Sequence, residues 1–124
     1  MKKEFIEECW FIYGARIKNY FFGRPIYYGS GTAGGVDFDW KKAMHPLLIG
    51  WIHTHPGSFG IIPSETDNST MRGWVRGRGK AFLCGIRCGD EVGWYAYFRG
   101  PSGVINRITV EMNSTAGWIW GRIN

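Results

Sequence analysis

A short apolar run that ends in two histidines and a turn constrains this chain's architecture more than any other stretch. Leu47-Leu48-Ile49-Gly50-Trp51-Ile52 is rich in strand formers and reads as a buried strand. His53 and His55 follow two residues apart, which on a strand puts both imidazoles on one sheet face. Pro56-Gly57 ends the strand and opens a loop. Pro63 then leads into Ser64-Glu65-Thr66-Asp67, a helix start with Ser64 near the N-cap and Asp67 on the same face three residues on. Strand end, turn and helix start can therefore bring two imidazoles and one carboxylate to one point.

That donor set suits zinc. Three protein ligands, His53, His55 and Asp67, leave a fourth tetrahedral position for water, the arrangement of catalytic rather than structural zinc. Such a site lowers the pKa of its water from about 15.7 to roughly 7. Ser64 is too poor a ligand to be a fourth and is better placed to donate a hydrogen bond to an oxyanion. Read one by one, these residues have plainer roles: a strand histidine is usually core or surface, and Ser-x-x-Asp alone is only a helix start.

Taken together, His53-Thr54-His55-Pro56, a short loop and Ser64-Glu65-Thr66-Asp67 resemble the signature of the JAMM (JAB/MPN) metalloproteases. The family usually has seven residues between the second histidine and the serine, whereas this chain has eight, Pro56 to Pro63. The extra residue falls in a Gly/Ser-rich loop, where insertions are tolerated. Upstream, the resemblance places a catalytic glutamate at the start of the first strand. Glu7 stands seven residues before Gly14 and matches that register, with Trp10 where the family has an inner glycine. Glu8 is the alternative, one residue out and on the other sheet face.

Composition sets the remaining bounds. A chain of 124 residues is read as one domain, 1–124, and 44% hydrophobic with 17% aromatic residues is ample for a packed core. No apolar run approaches transmembrane length, and Met1-Lys2-Lys3-Glu4-Phe5 lacks the apolar segment of a secretory signal. Cys9, Cys84 and Cys88 are an odd count without zinc-ribbon spacing, and the last two on one strand would lie about 13 Å apart, so free thiols in the cytoplasm are expected. A net charge of +5 and a pI near 9.3 favour acidic partners, a protein surface or nucleic acid, or simply a solvated basic exterior.

The rest of the chain reads as strands with two helices. Glu7 to Gly14 opens the first strand, and Ala15 to Tyr28 continues strand-like through a turn at Gly23-Arg24-Pro25. Gly29 to Gly35 is a loop, and Asp37 to His45 a short helix ended by Pro46, with His45 on the surface. After the site, a helix runs to Arg76. Arg72, Arg76, Arg78 and Lys80 form a basic cluster, of which the three arginines are candidates for steering an acidic substrate. Lys80–Cys88 and Glu91–Phe98 read as a hairpin, Val104–Glu111 as a further strand and Trp118-Ile119-Trp120 as a last edge strand. This order predicts an α+β or three-layer α/β domain, a mixed sheet flanked by helices, and the resemblance implies the same, a cytidine-deaminase-like fold.

The resemblance further implies a zinc-dependent isopeptidase or peptidase, with Glu7 as acid–base, worth about 10²–10⁴-fold. The implied substrate is a ubiquitin-like or sulfur-carrier-like protein joined through its C-terminal tail. A non-catalytic MPN-like protein-binding scaffold and a basic nucleic-acid-binding domain are the rival readings.

Overall fold

The computed structural model describes residues 7–31, 45–57 and 60–123 of the chain. Its elements, in chain order, are β1 (Glu7–Ile17), β2 (Tyr20–Gly31), β3 (Leu48–Thr54), α1 (Glu65–Arg78), β4 (Phe82–Cys88), β5 (Glu91–Arg99), β6 (Ile105–Thr109), β7 (Glu111–Thr115) and β8 (Trp118–Arg122). All eight strands join one sheet in the order β6-β5-β4-β3-β1-β2-β8-β7. Every neighbouring pair is antiparallel except β3 and β4, which run parallel because α1 lies between them as the crossover.

The sheet is curled into a half-barrel, and the connection between its two edges explains why. β6 and β7 are opposite edges, yet only Val110 separates them in sequence. A flat eight-stranded sheet would hold its edges roughly 34 Å apart, while two Cα steps reach about 7.6 Å. The edges must therefore approach at this corner, and the Val110 N–H donates to Trp94 O at 2.9 Å there. Inside the curl, Ile12, Phe21, Leu83, Ala96 and Ile119 form one apolar cluster with Val110. The outer face carries a second cluster that includes Phe11, Trp51, Phe82, Ile86 and Tyr97, and α1 packs upon it.

Sequence explains why α1 lies there. Its buried residues Asp67, Met71, Trp74 and Val75 recur at i, i+4, i+7 and i+8, one stripe of a helix. Trp74 stacks on Phe82 with ring centroids 5.1 Å apart. Ser64 caps the N-terminus, and Gly79 ends the helix in the left-handed conformation at φ 65°, its N–H donating to Val75 O.

The fold differs from the expected three-layer α/β domain with flanking helices. The described residues are mostly β, and α1 is the single helix among them. The alternation of strand and helix signals was a poor guide because most strands are joined by tight turns, which build antiparallel sheet without covering helices. The helix expected over Asp37 to His45, and the loop beyond Gly31, lie outside the described residues but for His45 itself.

Three finer expectations also change. Gly23-Arg24-Pro25 is within β2, not a turn; the chain reverses at Lys18-Asn19 instead, where Lys18 has φ 55°. Gly23 serves close approach, since it pairs with Gly14 and a Cβ on Gly14 would come within 2.5 Å of the Gly23 Cα. The strand expected over Val104–Glu111 breaks at Val110 into β6 and β7, and β8 is interior, between β2 and β7. No helix among the described residues is long and apolar enough to cross a membrane.

Candidate metal centre

The site lies where β3 ends and α1 begins, at the carboxyl end of the only parallel strand pair in the described sheet. The β3 ladder runs one residue past the strand, with the His55 N–H donating to Arg87 O at 2.8 Å. The following loop is held at its far end, where Tyr95 donates its hydroxyl to Ile61 O at 2.8 Å. Both histidines are thereby presented from fixed backbone, and both are buried, as is Asp67.

Asp67 is fixed by the helix start that carries it. It occupies the N3 position of a capping box: its backbone N–H donates to Ser64 Oγ at 3.1 Å and its carboxylate Oδ2 accepts from the Ser64 N–H at 2.9 Å. The same carboxylate reaches both rings. Asp67 Oδ1 is 3.2 Å from His53 Nε2, and Oδ2 is 3.0 Å from His55 Nε2. One donor atom from each of His53, His55 and Asp67 lies within 4.8 Å of the others, so the three could hold a metal ion.

The hydrogen bonds behind the rings fix their orientation. His53 Nδ1 is 2.9 Å from Glu7 Oε1, and His55 Nδ1 is 3.3 Å from Gly60 O. An Nδ1–H donated to a carboxylate or a carbonyl leaves Nε2 as the ligating nitrogen, the usual support behind a metal-bound imidazole. In both residues Nε2 is the atom turned toward Asp67. His53 Nε2 is buried and makes no hydrogen bond despite its closeness to Asp67. A buried ring nitrogen that faces a carboxylate and a second imidazole is placed to take a cation, either a metal ion or a proton.

Electrostatics point the same way. Burial pulls the His53 pKa down, but contacts with Asp67, Cys84 and Glu7 and the Asp67 charge outweigh it and lift it to about 11. Burial pushes Asp67 up, but the contact and charge of His53 and the hydrogen bonds from Ser64 bring it down to about 2. Without a metal, a proton on His53 thus supplies the positive charge that this pocket favours.

Of Glu7 and Glu8, Glu7 is the one brought to His53. Cys9 pairs with His53 across β1 and β3, and Glu7, two residues before Cys9, shares its face. Glu8 alternates away, its backbone N–H donating to Thr54 Oγ1 at 2.9 Å. Ser64 is exposed at the rim, with its oxygen accepting from the Asp67 N–H.

The arginines do not gather at the site. Arg72, Arg76 and Arg78 lie five, nine and eleven residues beyond Asp67, about 7.5, 13.5 and 16.5 Å along the helix axis. Arg72 and Arg76 face a shallow pocket with Arg99 and Val104. Arg78 donates to His45 O at 3.1 Å and Leu48 O at 3.0 Å, which ties the end of α1 to the start of β3. Cys9, Cys84 and Cys88 are all free thiols. Gly60 and Tyr95, which support the site, went unnoticed in the sequence because a carbonyl acceptor and a distant tyrosine leave no motif. Compared with protein-family models, curated proteins and solved structures, the chain finds no match in any of the three.

Proposed function

We infer that this protein is a zinc-dependent hydrolase of peptide or isopeptide bonds, with His53, His55 and Asp67 as the metal ligands. The observation that carries this reading is the paired histidine arrangement: each Nδ1 is engaged from behind and each Nε2 is turned toward one carboxylate. Zinc suits two imidazoles and a carboxylate, and when bound it would acidify a water and polarise a carbonyl.

The chain's own groups supply the rest. Glu7 holds the His53 ring through Nδ1, and the resemblance makes it the proton carrier. It would take a proton from the attacking water and return it to the leaving nitrogen. The Ser64 hydroxyl, whose oxygen already accepts from the Asp67 N–H, still has its own hydrogen to donate to an oxyanion. The resemblance supplies the substrate class, a ubiquitin-like or sulfur-carrier-like tail in an extended conformation.

Two measurements test this. Elemental analysis of the reconstituted protein should give about one zinc per chain, lost in His53→Ala/His55→Ala. A panel of fluorogenic peptides ending in paired glycines should be cleaved by the zinc form and not by Glu7→Gln with zinc retained. Zinc binding without any cleavage would leave a metal-stabilised scaffold as the better account, and a folded protein that takes up no zinc would end both.

A further inference from the structure

The outer sheet face beyond α1 carries a second feature, unrelated to the metal centre. β2 and β8 are neighbours, with Tyr20 opposite Arg122 and Phe22 opposite Trp120. Even-numbered residues of both strands therefore share one face. On it, Tyr20 is 51%, Phe22 48%, Ile26 47% and Trp118 38% exposed. Phe22 and Trp118 stack with centroids 4.9 Å apart and planes 10° from parallel, so these rings brace one another. Two guanidiniums lie among them, Arg24 at 6.0 Å from the Trp118 ring and Arg122 at 5.8 Å from Tyr20. Exposed aromatic rings gathered on one face in this way mark a contact surface.

We propose that this β2–β8 face binds single-stranded nucleic acid, bases against Tyr20, Phe22 and Trp118 and phosphates against Arg24 and Arg122. The chemistry selects this occupant. Exposed rings on a sheet need flat apolar partners, and guanidiniums already lying against those rings need anions. One strand of nucleic acid offers both in every repeating unit, whereas a duplex keeps its base faces stacked inside. The whole chain carries +5, which attracts a polyanion and opposes a second copy of itself. A two-fold dimer through this face would also bring four guanidiniums, Arg24 and Arg122 of each copy, into one interface. Glu111 pairs in register with Arg122 at the rim of the face, on edge strand β7, leaving Arg24 as the cation nearer its centre.

The test is fluorescence anisotropy with labelled oligothymidylate of about twelve nucleotides, a site size typical of such platforms. A duplex of the same length and a polyglutamate peptide serve as competitors. The single strand should bind, duplex and polyglutamate should compete poorly, and Phe22→Ala/Trp118→Ala should weaken binding roughly 30-fold or more. Arg24→Gln/Arg122→Gln, at exposed positions that the fold does not need, should flatten the slope of log K against log salt by about 1.4. Its binding therefore decides the matter should the aromatic variant fail to fold. Unchanged affinity and salt slope in this arginine variant, or competition by polyglutamate as strong as by the single strand, would overturn the proposal. So would concentration-dependent dimerisation abolished by Tyr20→Ser, which would assign the face to a second copy. None of these outcomes bears on zinc or hydrolysis.

Discussion

Ser64 sits at the junction of fold and chemistry, and its two tasks can be separated with two substitutions. Its oxygen accepts the Asp67 N–H at 3.1 Å as the N-cap of α1. Replacing such a cap by alanine costs about 1 kcal/mol, whereas glycine, which lets water reach the open N–H groups, costs only a few tenths. For 124 residues the unfolding entropy is about 0.26 kcal/mol per kelvin, so Ser64→Ala should lower Tm by about 4 °C and Ser64→Gly by about 1 °C. Melts followed by circular dichroism in chelator measure this without any substrate. Zinc at a hundredfold over its Kd adds about 2.7 kcal/mol, a rise of roughly 10 °C. That rise should survive in both variants, because Asp67 Oδ2 keeps its bond from the Ser64 backbone N–H, which neither change removes. Equal losses in the alanine and glycine variants would show that the hydroxyl is not acting as a cap. Loss of the zinc-induced rise in either would mean that the Ser64 hydroxyl, rather than its backbone N–H, holds the metal or the Asp67 carboxylate, contrary to the geometry described above.

The metal-free fold should have a defined pH window. His53 is raised from 6.5 to about 11, so its stabilisation is complete below about pH 6.5 and lost as pH rises through about 11. Asp67 is lowered from 3.8 to about 2, so its contribution is present above about pH 3.8 and lost as pH falls through about 2. Chemical denaturation across pH in chelator should therefore peak between about pH 4 and 6.5. Zinc uptake at pH 7 should also release at least one proton, seen as a dependence of calorimetric heat on buffer ionisation enthalpy; no such dependence would contradict a protonated His53. Glu7→Gln should weaken zinc binding about 10- to 100-fold by loosening the support behind His53, measured by competition with a chromogenic chelator. Arg78→Ala should cost about 1–3 kcal/mol through the two carbonyls it leaves, while exposed Arg76→Ala stays within about 0.5 kcal/mol, both read from urea denaturation.

The sequence alone determined the local parts of the site. A period of two on an apolar strand put His53 and His55 on one face, and helix-start chemistry put Asp67 on the face of its own cap. Those are short-range relations, set by residue spacing and backbone geometry, and the eight-residue loop only has to close the gap between them. The same period separated Glu7 from Glu8, although only the β1–β3 register, Cys9 against His53, decided which of them meets a ligand. The large-scale fold was not legible in this way. Strand-forming runs do not state their partners, and the antiparallel or parallel choice depends on what joins them. That Val110 alone links the two edges of an eight-stranded sheet, and so curls it, is a property of the pairing order, which no local pattern encodes. The exposed aromatic face has the same origin: Phe22 and Trp118 are far apart in the chain, and only the pairing of β2 with β8 stacks them. Spacing decides what a few neighbouring side chains can do, and tertiary pairing decides which distant ones they do it with.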